Sequence, residues 1–139
     1  MGISFSVNGG GNKVELSVHS VLYSALEMIS EENTLAKGND TACKLFIVAQ
    51  INKNSQGTIE ALKEIQKWAK KCNQSEDSYR EVTVEQTYAD SFHRRVIFPD
   101  ARLLSFQETF LTDNAKFMEI SLEIEQKESK QDAICIMYF

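Results

Sequence analysis

Met118, Ile120, Leu122 and Ile124 alternate with Glu119, Ser121, Glu123 and Glu125. Successive side chains of a strand point to opposite faces, so this run predicts a strand with one apolar face and one nearly all acidic face. An apolar sheet face needs a second layer over it, which restricts the chain to layered or closed β architectures.

The same two-residue period recurs along the chain. Ile3, Phe5 and Val7 alternate with Ser4, Ser6 and Asn8, and Asn8-Gly9-Gly10-Gly11-Asn12 predicts a hairpin turn. Val14, Leu16 and Val18 resume the alternation, and this second strand is expected to continue through Val21 and Tyr23. Leu45, Ile47, Ala49 and Ile51 share one face while Phe46 and Val48 occupy the other. With both faces apolar, that strand is expected to be central. Val82, Val84 and Tyr88 mark another strand, residues 91–98 the next, and Leu104, Phe106 and Phe110 a further one. Turns are expected near Ala89-Asp90-Ser91 and at Thr112-Asp113-Asn114, with a break at Pro99-Asp100. Residues 133–139 (AICIMYF) read as an apolar terminal strand or docking tail.

Two segments depart from this period. Ala61, Leu62, Ile65, Trp68, Ala69 and Cys72 recur every three or four residues, which predicts a helix over about 58–72 with one apolar stripe. Thr58 is a candidate cap, and Glu60 and Glu64 early with Lys67, Lys70 and Lys71 late suit the helix dipole. Trp68, the only tryptophan, is the expected core anchor. Residues 24–41 read as a long polar connection, although Ala25, Leu26, Met28 and Ile29 also fit a helix or an extension of the second strand. The expected fold is mainly β: an antiparallel β-barrel or sandwich with one flanking α-helix. It forms a single domain over 1–139, with a long loop at about 24–41 and a C-terminal extension at about 128–139.

A chain of 139 residues suits one hydrophobic core that needs neither metal nor disulfide. The net charge of −5 argues against sequence-independent nucleic-acid binding, which needs a basic footprint. Cys43, Cys72 and Cys135 form no C-x-x-C, so no zinc framework is legible, and an odd count suits a reducing compartment. His19 and His93 are the only histidines, and no G-x-S-x-G elbow or Cys–His signature accompanies them. Gly9-Gly10-Gly11 lacks the following helix of a phosphate loop, since Lys13 leads into a strand. Glu119, Glu123 and Glu125 read as a solvated strand face, because divalent ions want ligands converging from several elements. Arg94 and Arg95 fall on opposite faces of one strand and make no single patch. The start Met1-Gly2-Ile3-Ser4-Phe5-Ser6 matches the loose myristoylation pattern but alternates as a strand. The sequons at Asn39 and Asn73 read as chance matches. No catalytic, cofactor-binding or metal-binding set is therefore expected, and the chain is expected to act through protein–protein contacts.

Several stretches together resemble a known family. They are the helix with Trp68-Ala69, then Tyr79-Arg80-Glu81-Val82-Thr83-Val84, then Arg94-Arg95-Val96-Ile97-Phe98-Pro99-Asp100-Ala101. They continue with Leu104-Ser105-Phe106-Gln107-Glu108-Thr109-Phe110 and the alternating strand ending Glu125-Gln126-Lys127. Over about 43–127 this order is similar to the Hcp proteins of type VI secretion and the related phage-tail tube proteins. The tail AICIMYF extends past the family's usual last strand, and 24–41 fits the family's stacking loop only loosely. The resemblance implies a β-barrel subunit that assembles with itself into hexameric rings stacked as a hollow tube. It implies sheath, baseplate or spike proteins and cargo effectors as partners, with no nucleic acid and no membrane insertion. Glu119, Ser121, Glu123 and Glu125 would then face a lumen or a neighbouring subunit. Synthesis in the cytoplasm, with export by its own apparatus rather than by a signal peptide, is the matching expectation. A non-enzymatic β-barrel adaptor that binds a partner is the alternative.

Overall fold

A computed structural model describes residues 2–30, 41–74, 78–88, 92–110, 112–113 and 116–139. The turns expected near 89–91 and at 114, the loop residues 31–40 and 75–77, and Met1 lie outside the described residues. Strands β1 (Gly2–Gly9), β2 (Asn12–Leu16), β3 (Val21–Ser30) and β4 (Thr41–Asn52) precede helix α1 (Gln56–Gln74). Strands β5 (Arg80–Tyr88), β6 (Phe92–Thr109) and β7 (Phe117–Gln126) follow. A 3-10 segment, Glu128–Ala133, leads into β8 (Cys135–Tyr138). Among the described residues all pairings are antiparallel, in the order β2-β1-β5-β6-β7-β4-β3, with β8 beside β6.

The sheet bends over its apolar face and is sandwich-like, with no closed barrel. Its two halves approach each other around a cavity of about 150 Å³ lined by Ser24, Leu26 and Leu45 from one half and Val84, Gln86, Arg94 and Val96 from the other. Inside lie Phe5, Val7, Leu16, Leu45, Ile47, Val82, Val84, Phe98, Ile120 and Ile124, all at most 1% exposed. Helix α1 closes the layer with Ala61, Leu62, Ile65 and Trp68. Trp68 is fully buried, and its indole N–H donates to the Ser78 carbonyl at 3.0 Å.

Several sequence expectations shift at the boundaries. The glycine turn is a hairpin in which Gly9 pairs with Asn12, and Gly10 (φ 62°) and Gly11 (φ 87°) form the two-residue loop. Positive φ at both loop positions is what a primed hairpin turn requires. The second strand does not run on through Val21 and Tyr23. The chain turns at 17–20, where the Ser20 and Val21 N–H groups donate to the Ser17 carbonyl. Val21–Ser30 is then a separate strand against β4, so the first part of the expected 24–41 connection is strand. Placing those residues on a sheet edge took cross-strand pairing with β4, which no local signal reports. Helix α1 begins at Gln56, two residues before the expected start, so its first turn holds no acidic residue. The Thr58 hydroxyl donates to the Asn52 and Ser55 carbonyls instead of accepting from a helix N–H.

Pro99 is no break. It lies inside the 18-residue β6, where the strand changes partners. Residues 92–98 and Ala101 pair with β5, and residues 101–109 pair with β7 on the opposite edge. A proline, which has no N–H, is tolerated at such an irregularity. The next N–H, of Asp100, donates at 3.0 Å to the side-chain oxygen of Gln126, which is fully buried. Gln126 Nε2 donates to the Lys130 carbonyl at 2.9 Å. Gln131 Nε2 returns a bond of 2.8 Å to the Gln126 carbonyl, and Gln131 Oε1 accepts the Cys43 N–H at 3.0 Å. These two amides tie the 3-10 segment to β4, β6 and β7. The chain then re-enters beside β6, where β8 continues the line of β7 from Ile97 to Arg94. The C-terminal stretch is therefore a strand of the sheet.

Three substitutions measure these contacts. Trp68→Ala should lower unfolding stability by about 3–5 kcal/mol, the usual range for emptying a large aromatic site. Gln126→Leu should cost about 1–3 kcal/mol for each stranded partner, because the Asp100 N–H and the Lys130 carbonyl lose their bonds. Urea unfolding followed by circular dichroism reads all three, with Gln131→Ala expected to fall in the same direction.

Candidate interaction surfaces

The residues able to carry chemistry are dispersed. His19 is exposed in the 17–20 turn. His93 does meet an acid, with Nε2 3.3 Å from Glu85 Oε2. Glu85 is shared, since its other oxygen accepts from Arg95 Nε at 2.9 Å. The Phe139 ring lies 5.0 Å from the His93 ring and 5.2 Å from the Arg95 guanidinium. His93, Glu85 and Arg95 occupy the outer sheet face, and the described cavities have other linings. Arg94 points to the opposite face, as the strand period requires, over the Tyr138 ring at 5.7 Å. Among the described residues, no group of three or more His, Cys, Asp and Glu side chains is placed to hold a metal ion. No helix among them is long and apolar enough to cross a membrane. Cys43 is buried, Cys72 half-buried and Cys135 exposed; burial pushes the Cys43 and Cys72 thiols up in pKa.

Two charged faces stand out. The first is the outer side of β7, where Glu119, Ser121, Glu123 and Glu125 point away from the core because Met118, Ile120, Leu122 and Ile124 point into it. Glu125 lies opposite Lys44 of β4 and Arg102 of β6, and Lys44 reaches Glu123 at 3.4 Å. Glu119 lies opposite Gln50 and Thr109. Half-buried Phe46 and Val48 on β4 continue this outer face. The four residues singled out in the sequence thus share one surface.

The second face is the solvent side of α1. Lys63, Lys67, Lys70 and Lys71 are all exposed, at spacings that put them on one side of the helix. Lys67 Nζ lies 3.1 Å from Glu64 Oε1, and Asn12 Nδ2 donates to Glu64 Oε2 at 3.2 Å. That bond to Lys67 is the main reason the Glu64 carboxyl is held below its ordinary pKa. Arg80 lies behind this face, 8% exposed, with its guanidinium 5.8 Å from the Trp68 ring. Its Nη1 is buried without a hydrogen-bond partner. The glycine turn passes directly over it. A Cβ on Gly10 would come within 2.8 Å of Nη2, and one on Gly9 within 2.9 Å of the Arg80 side chain. A groove of about 570 Å³ flanks the helix, lined by Gln66, Ala69, Lys70, Leu104 and Phe106 among others.

Arg80 and the exposed aromatics escaped the sequence reading. Tyr88 and Phe92 stack at 5.5 Å and Phe92 and Tyr138 at 5.9 Å, all three substantially exposed. The Tyr88–Phe92 contact follows from the β5–β6 pairing, but Tyr138 joins only because β8 pairs with β6. The chemical signal that was available for Arg80 is its adjacency to Val82 and Val84 on the same strand face.

The architecture is a bent antiparallel sheet with one covering helix, bearing charged faces and no assembled reaction centre among the described residues. No family model matches the sequence, and no curated protein does. Solved structures do share the fold. Hcp1 from Flavobacterium johnsoniae is similar over 97% of this chain and 97% of its own, with a TM-score of 0.54 at 14% identity. A chain in the extended sheath/tube terminator of the PVC extracellular contractile injection system gives 0.53 at 11% identity, covering 96% and 92%. A chain in the anti-feeding prophage baseplate gives 0.53 at 9% identity, covering 97% and 91%. The likeness that the sequence carries over 43–127 thus extends, in fold, across nearly the whole chain.

The Glu64 pair has a defined pH signature. A carboxyl whose folded-state pKa is lowered contributes stability above its unfolded value, and that contribution disappears as pH falls through the folded value. Lys67→Met should raise the Glu64 titration midpoint toward the ordinary glutamate value, read by carboxyl NMR, while leaving the fold intact.

Proposed function

We propose that this protein is a structural subunit of the hollow tube of a contractile injection or secretion apparatus, assembling with itself into stacked rings. The observation that carries this reading is the end-to-end fold similarity to Hcp1 and to chains of contractile injection assemblies. The surface supports it. The outer face of β7 and the solvent face of α1 both point away from the core, so each is available to a neighbouring copy. Such head-to-tail contacts close into rings when the rotation between copies allows. A hexamer is the expected closure, and sheath, baseplate or spike proteins are the expected further partners. Work in this setting is mechanical: the subunit needs rigid, repeated contacts and no reaction centre. Export would follow from the apparatus itself.

A second reading is a terminating or adaptor ring at the end of such a tube. Two of the similar structures contain a tube terminator and a baseplate, which favours keeping it. The two readings differ in stacking, since a terminator forms a ring that offers one face only to further rings.

Purified protein examined by light scattering across a concentration series, with negative-stain imaging, separates the outcomes. Rings of uniform size that stack into hollow rods at high concentration are expected for a tube subunit. Single unstacked rings favour the terminating ring. A strict monomer at every concentration, also in the presence of co-expressed sheath and baseplate components, would sink both.

A further inference from the structure

We infer that the ring contact is made by the acidic outer face of β7 on one copy docking against the lysine face of α1, backed by Arg80, on the next. This rests on the self-assembly reading above and adds to it the identity of the two surfaces.

Three observations converge. The charges are complementary: Glu119 and Glu123, the latter shared with Lys44, on one face, and Lys63, Lys70 and Lys71, with Lys67 bonded to Glu64, on the other. Complementary potentials guide and register association even where the net gain per pair is small. The two faces point away from the core that Ile120, Leu122 and Ile124 share with Ile65 and Trp68, and among the described ion pairs none joins them.

The third observation is Arg80. A guanidinium in an interior position is costly unless its donors are satisfied. Here Nη1 has no hydrogen-bond partner, the Trp68 ring lies beside the guanidinium, and the Glu64 carboxylate is close enough to feel its charge. The side chain runs out beneath Gly10, which is itself exposed. The glycine turn sits directly on the buried side chain, and a Cβ at either Gly9 or Gly10 would collide with it. From behind the lysine face this buried cation adds to the positive potential that an arriving carboxylate meets. The apolar part of the contact is also present, with half-buried Phe46 and Val48 beside the acidic stripe and Leu104 and Phe106 in the groove beside α1. A second copy is the occupant chosen because it is the molecule that carries the matching face at the same concentration. Nucleic acid fits the lysine face alone and is opposed by the net charge of −5.

Two charge-reversed proteins test the assignment. One carries Glu119→Lys and Glu123→Lys; the other carries Lys63→Glu and Lys70→Glu. Each alone presents like charges across the contact and should associate at least about tenfold more weakly than the parent, read by light scattering. An equimolar mixture should regain the parent's assembly, because each variant then meets an opposite face on both sides. Arg80→Met, which keeps the Trp68 packing, should weaken assembly without abolishing the fold. The parent's own assembly should weaken as added salt shortens the Debye length to about 3 Å at 1 M. Circular dichroism checks each variant for folding, and Glu119→Gln with Glu123→Gln replaces the lysine form if that form does not fold. A parent that stays monomeric throughout overturns both this contact and the tube reading. A parent that assembles while either folded reversal assembles equally well, or whose reversals fail to rescue each other, overturns the contact alone. Retention of the parent on a nucleic-acid column through the lysine face, with assembly unchanged by the reversals, assigns that face to another partner and overturns the contact as well.

Discussion

The inner stripe of β7 is the surface on which the other elements close. Met118, Ile120, Leu122 and Ile124 are at most 6% exposed, and each contributes about 1.5–3 kcal/mol by leaving water. β7 is hydrogen-bonded on both edges, to β4 and to β6, so its register is transmitted to both halves of the sheet. A one-residue slip would turn its glutamates inward and its aliphatic side chains out, and neither neighbour could follow without losing its own burial. The register of the sheet thus begins with a simple alternation and is locked by two ladders.

The more delicate feature is the crossing of β6. One long strand serves two partners, β5 along its first half and β7 along its second, and β8 takes the edge that β7 leaves free. A partner change leaves backbone groups without ladder bonds, and buried groups of that kind are costly. Pro99 removes one donor from the problem, and Gln126 supplies the acceptor for the next. Gln131 then completes the ladder of β4 at Cys43, where β7 has ended. Two side-chain amides therefore do the hydrogen bonding that regular pairing cannot, and the C-terminal segment is held as part of the sheet.

The same division between inside and outside bears on function. The described residues include a His–Glu contact, but it is shared with an arginine and covered by an aromatic ring, so it behaves as a surface ion cluster. What the molecule also offers are faces: an acidic strand face, a lysine face with a buried arginine behind it, and an exposed run of aromatics along β5, β6 and β8. A fold shared with chains of contractile injection assemblies, at 9–14% identity, shows that this architecture tolerates nearly complete replacement of its side chains. Patterning and pairing carry it, while the surface side chains remain free to change.

The sequence by itself determined the alternating strands, the glycine hairpin, the amphipathic helix around Trp68 and the grouping of Glu119, Ser121, Glu123 and Glu125 on one face. These follow from local periods of two and 3.6 residues, which need no knowledge of distant partners. Only the tertiary structure decided that β3 is a separate strand, that β6 runs through Pro99, and that β8 belongs to the sheet. Each depends on a backbone partner far away in the chain: β4 for β3, Gln126 for Asp100, and β6 for β8. Arg80 is the sharpest case. In the sequence it is one basic residue before a strand, and only the packing of α1 against the β1–β2 hairpin buries it beside Trp68 with an unpaired nitrogen.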